Sequence, residues 1–121
     1  MSFEGSNPNK SMRQTWMPGD FELEVLSGGR TLTHSDAQHI RLDADGSHRT
    51  VTLPDPRKGS WFWIVNGSGT AHNLLVKQAN GTTALLTIEQ NESAIVYCER
   101  DRADGGSVGW SLFAIIAIAI A

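Results

Sequence analysis

The chain has 121 residues, enough for one domain that buries roughly two-thirds of its unfolded surface around a modest core. Its formal net charge is −3 and its ten Lys and Arg are scattered, which removes the clustered positive patch that a nucleic-acid partner requires. The single cysteine, Cys98, excludes an internal disulfide and a thiolate metal cluster; set in an apolar alternating run, it reads as a small buried hydrophobe.

Residues 1–20 are rich in Ser, Asn, Gly and Pro and carry only Phe3, Met12, Trp16 and Met17 as sizeable apolar groups, too few to build a core. They read as a flexible, extended N-terminal arm, with Trp16 beside Met17 suited to anchoring a strap on a partner. No signal-peptide apolar run occurs there, so synthesis in the cytoplasm without export by that route is expected.

From residue 21 the pattern becomes short apolar runs broken by turn signals, with almost no 3.6-residue period. FELEVL (21–26) sets Phe21, Leu23 and Val25 against Glu22 and Glu24, and Gly28-Gly29 ends it. HIRLDA (39–44) and RTVTL (49–53) flank the turn Asp45-Gly46, and Pro54-Asp55-Pro56 stops ladder pairing. SWFWIV (60–65), HNLLVKQ (72–78), TALLTIE (83–89) and SAIVYCE (93–99) follow, with Asn66-Gly67 and Asn80-Gly81 predicting tight hairpins. A polar loop, 100–107, leads to the last strand. The spacing predicts an all-β domain over 21–121, an antiparallel β-sandwich of jelly-roll type with about eight strands. No internal repeat of solenoid type is evident.

The closing SLFAIIAIAIA (111–121) is about half the ~20 residues that a membrane-spanning helix needs. Its alternation puts Leu112, Ala114, Ile116, Ile118 and Ile120 on one side and Phe113, Ile115 and three alanines on the other, which predicts a strand buried on both faces. The isoleucine side is expected to pack inward and the alanine side to lie against a neighbouring sheet. No membrane partner is implied.

Motifs that carry chemistry are weak. His34, His39, His48 and His72 show no metal-ligand spacing, and the loop from Asp43 reaches Pro54 where a calcium loop needs a bidentate Glu. No metal or cofactor is expected. Glu89, Glu92 and Glu99 bracket one hairpin-like region and read as solvated carboxylates in preference to a glycosidase pair. The sequons at Asn66, Asn80 and Asn91 read as turn residues. Trp61 and Trp63 share one strand face; burial in the core is the commoner fate of such a pair, and exposure would suit stacking on sugars.

The second half shows a particular succession: Leu53-Pro54-Asp55 ending a strand, a G-x-x-x-x-I-x-N strand from Gly59 to Asn66, strands broken by Asn-Gly turns, E-S-x-x-V from Glu92 to Val96, and a closing strand at Trp110. Over residues 49–113 this resembles a β-module of tailed-bacteriophage virion proteins, found in head decoration (cement) proteins and tail fibres. The resemblance implies a non-enzymatic protein on the capsid exterior that binds the major capsid protein lattice and stabilises it, associating with itself as a homotrimer. The residues expected to hold the shell are Phe3, Arg13, Trp16 and Met17, and those expected at subunit contacts are Phe113, Ile116 and Ile118. The alternative is a fibre component or carbohydrate-binding module that recognises host surface glycans, and a β-fold hydrolase ranks last.

Overall fold

The computed structural model describes residues 21–117. Among these residues nine strands run in the order β1 (Phe21–Val25), β2 (Arg30–Thr31), β3 (His39–Asp43), β4 (Arg49–Thr52), β5 (Trp61–Asn66), β6 (Leu74–Lys77), β7 (Ala84–Ile88), β8 (Glu92–Cys98) and β9 (Trp110–Ala117), with one helical turn, α1 (Arg102–Gly105), before the last. They form a five-stranded sheet, β1-β3-β5-β8-β9, and a four-stranded sheet, β2-β4-β6-β7. The protein is all-β, and buried residues from both sheets make one hydrophobic cluster.

The purely antiparallel arrangement expected from the turn spacing is corrected: both sheets are mixed. β1, β3 and β5 are parallel neighbours, as are β2, β4 and β6, and the antiparallel ladders are β5 with β8, β6 with β7, and β8 with β9. From β1 to β6 the chain alternates between the sheets at each connection. A chain that crosses to the opposite sheet and back re-enters the first one in its original direction, so parallel pairing arises without a crossover helix. This is the winding logic of a β-helix. The steps are unequal, from Phe21 to His39 to Trp63 on one sheet and from Arg30 to Val51 to Val76 on the other, which is why no repeat is visible in the sequence.

The turns follow from that winding. Asp45 and Gly46 both have positive φ, 50° and 90°, and turn the chain from one sheet to the other. Asn66-Gly67 is likewise a corner between sheets and not a hairpin. Its Asn66 side chain is 1% exposed, donates through Nδ2 to the carbonyls of His72 and Ile88 at 2.9 Å each, and accepts from the Ser68 N–H at 3.0 Å. Asn80-Gly81 does close a hairpin, between β6 and β7, with Asn80 Oδ1 accepting from the N–H groups of Thr82 and Thr83.

Like residues stack through the interior at registered positions, Ile40 on Ile64 and Val51 on Val76, each fully buried. Each such side chain contributes about 1.5–3 kcal/mol by burial. The sheets are also bolted by polar groups. Gln78 accepts from the Trp110 N–H and donates to its carbonyl, and the Trp110 indole N–H donates to the Pro54 carbonyl at 2.8 Å. Cys98 is buried, with its thiol donating to the Arg100 carbonyl, in keeping with the reading of a small interior residue.

Candidate interaction surface

The five-stranded sheet has an inner face on the core and an outer face away from it. Alternation along β5 puts Phe62 and Ile64 inward, 2% and 0% exposed, so Trp61 and Trp63 lie on the outer face and are half-buried. The expectation that this tryptophan pair fills the core is therefore corrected; Phe62, between them, takes that place.

β1 shows the largest departure from the pattern. Its apolar side, Phe21, Leu23 and Val25, is 47%, 69% and 65% exposed. The parallel register explains this facing. Glu22 and Glu24 pair with inward-facing Ile40 and Leu42, while Phe21 and Leu23 pair with His39 and Arg41 on the outer face. The carboxylates lie at the rim of the core and find partners there: Glu22 Oε1 accepts from the Ala37 N–H at 3.0 Å, and Glu24 pairs with Arg30 at 2.9 Å. Arg30 also grips Asp36 at 2.8 Å. Burial alone would raise the Asp36 pKa, yet hydrogen bonds from Arg30 and Thr33 outweigh it and hold that carboxyl below its ordinary value.

A row of rings crosses the outer face. Phe21 lies 4.4 Å from the His39 ring, which stacks on Trp63 at 4.1 Å with only 5° between planes. The register continues the row through Ile95 to Ala114. Trp63 is fixed by its indole N–H, which donates to Ser93 Oγ at 3.0 Å. Partial burial lowers the His39 pKa below the ordinary imidazole value.

β9 forms one border of this sheet, and among the described residues it pairs on one side only, with β8. The prediction that it is buried on both faces does not hold within one chain: Leu112, Phe113, Ile115 and Ile116 are 39%, 70%, 47% and 39% exposed. Nor does the isoleucine side pack inward as a unit. A bulge opposite the Ile95–Val96 step inserts Phe113 between Leu112, which pairs with Val96, and Ala114, which pairs with Ile95. Leu112 and Ile115 then fall with the inward partners Val96 and Ala94, and Ala114 and Ile116 with the outward partners Ile95 and Ser93. Phe113 meets Tyr97 edge-on at 6.3 Å.

Of the residues predicted for subunit contact, Phe113 and Ile116 are thus both exposed on the border strand, whereas Ile118 lies outside the described residues, as do Phe3, Arg13, Trp16 and Met17, predicted to hold the shell. Phe21, Leu23 and Val25 are not among the residues expected at contacts, because alternation groups them on one side of β1 without saying which way that side faces. The signal of the outer face was present in the outward-facing pair Trp61 and Trp63 on the same strand as Phe62.

The other motifs resolve into local structure. Glu92 Oε1 accepts from the Glu89 N–H at 3.0 Å, closing the turn between β7 and β8, where Asn91 has φ 66°. Asp43 Oδ1 accepts from the Asp45 N–H within its turn. Among the described residues no three His, Cys, Asp or Glu side chains come together as a metal site. No helix among the described residues is long and apolar enough to cross a membrane. No protein-family profile matches the chain, and a search of curated proteins returns no significant match.

Proposed function

We propose that the protein is a structural decoration component of a tailed-bacteriophage virion, binding the outer surface of the major capsid protein lattice and stabilising the shell as a homotrimer. The observation that carries this reading is the exposed apolar side chains on both border strands of the five-stranded sheet, Phe21, Leu23 and Val25 on β1 and Phe113 and Ile116 on β9, among the described residues. Exposed apolar surface of this extent on a small β-protein is an interaction surface or an aggregation liability. The interior supplies a rigid block behind it, and no catalytic role is assigned to any residue.

In this reading β9 and the terminal residues, Ile118 among them, contribute to contacts between copies, and the segment before Phe21, with Phe3, Arg13, Trp16 and Met17, reaches capsid subunits. Several weak contacts held on one body then add through effective concentration. The sequence resemblance to decoration proteins supports the same assignment. The test is to add purified protein to undecorated capsids of tailed phages and measure co-sedimentation and the temperature at which the shells open. Saturable binding with a raised opening temperature supports the reading; absence of binding together with unchanged opening overturns it.

A further inference from the structure

A second feature lies at one end of the fold, where the connection from β2 to β3 meets the connection from β4 to β5. A cleft of about 480 Å³ opens there, with Trp61 as an aromatic wall and Gln38, Ser60, Arg57 and Lys58 among its polar lining. We propose that this cleft binds a carboxylated sugar, with the pyranose ring on the face of Trp61 and its carboxylate between Arg57 and Lys58.

Three observations carry the assignment. The first is that the frame is fixed by internal bonds before any ligand arrives. The His34 Nε2–H donates to the Asp55 carbonyl at 2.7 Å, leaving Nδ1 as the acceptor facing the Ser60 hydroxyl at 3.5 Å. The Lys58 N–H donates to Asp101 Oδ1 at 2.8 Å, the Gly59 N–H to the Cys98 carbonyl, and the Ser60 N–H to the Arg57 carbonyl. Binding then loses little conformational entropy from the loops.

The second is charge. The lining contains one carboxylate, Asp36, and it is already committed to Arg30 and to the N–H and hydroxyl of Thr33. Arg57 and Lys58 form no ion pair among the described residues, and both are exposed. Two exposed cations without carboxylate partners among the described residues, in a cleft whose lining carboxylate is already hydrogen-bonded elsewhere, favour an anionic ligand.

The third is the difference between the two tryptophans. Trp63 is covered by His39 and tied to Ser93, whereas Trp61, two residues earlier on the same face, stands at the cleft wall. An aromatic face beside amide and hydroxyl groups is suited to the C–H face and hydroxyls of a sugar ring, and an inorganic anion would make no use of it. The site is separate from β9 and from Phe21, Leu23 and Val25, so it stands whether or not the decoration reading does.

The test titrates the full-length chain, by calorimetry and by the indole N–H resonances, with two acidic probes: a hyaluronan hexasaccharide carrying glucuronate, and an oligomer of N-acetylneuraminic acid. Cellohexaose and inorganic sulfate are the controls. The Trp61 resonance is assigned by its loss in Trp61→Phe. At least one acidic probe is expected to shift that resonance and to bind about tenfold tighter than cellohexaose, and which one does so distinguishes a uronate from a sialate ligand. Arg57→Ala with Lys58→Ala, and separately Trp61→Ala, should each weaken binding by about tenfold or more, with unchanged melting temperature for the exposed pair. Equal affinity for the neutral hexasaccharide, equal affinity for sulfate alone, binding untouched by these substitutions, or no binding of either acidic probe would each overturn the proposal.

Discussion

The two faces of the five-stranded sheet are built by the same strands, yet they differ in what covers them. On the inner face Ile40, Leu42, Ile64, Ala94 and Val96 are all 0% exposed, packed against the second sheet. On the outer face Leu23, Val25 and Phe113, as apolar as their inner counterparts, are more than half exposed. Apolar residues on both sides of a strand are the mark of a sheet covered on both sides. Among the described residues the second sheet covers the inner face, and the border strands β1 and β9 carry exposed apolar side chains on the outer one.

That contrast sets the order of expected effects. The largest belongs to the inner face. Ile64→Ala should cost about 2–5 kcal/mol in chemical denaturation, since it removes buried methyl groups and leaves a cavity beside Ile40. Next come the polar bolts. Gln78→Ala strands both the N–H and the carbonyl of Trp110, and Asn66→Ala strands two carbonyls and the Ser68 N–H; each should cost about 1–3 kcal/mol or more, read by the same measurement.

Substitutions on the outer face should behave in the opposite way. Leu23→Ser and Phe113→Ser are expected to change the denaturation free energy of the dilute chain by less than about 0.5 kcal/mol while weakening capsid binding or self-association. A loss of several kcal/mol from either would show that the chain itself covers this face. The smallest effect is that of pH. His39 has its folded-state pKa held below the unfolded value, so protonation favours the unfolded chain. Stability should fall as pH drops through the ordinary imidazole range near ~6.5 and level off below the folded pKa, and His39→Phe should remove that part of the pH dependence in thermal melts.

The fold was legible where alternation and turn chemistry act locally. The strands at 39–43, 49–52, 61–66, 74–77, 84–88, 92–98 and 110–117 lie where the apolar runs put them, and Cys98 is buried as read. Sheet assignment was not legible, because Asn66-Gly67 has the chemistry of a hairpin and is used as a corner, with its amide satisfied by distant carbonyls. The two-residue β2 is too short to leave a period. The facing of β1 was not legible, since period-two alternation says which residues share a side, and the register with β3 decides which side is inward. In β9 one bulge at Phe113 broke the alternation that the isoleucines display. For the candidate surface, the closing apolar run drew notice to Phe113 and Ile116, which are exposed, whereas Phe21, Leu23 and Val25 required the register.

The central claim is that the uncovered face and the β9 border are met by other copies and by the capsid. The most direct measurement is the native mass of the full-length chain by light scattering across a dilution series, beside a Phe113→Ser, Ile116→Ser variant. A concentration-dependent trimer that the double substitution shifts toward monomer is the predicted result. A monomer at every concentration, identical in the variant, would contradict the account.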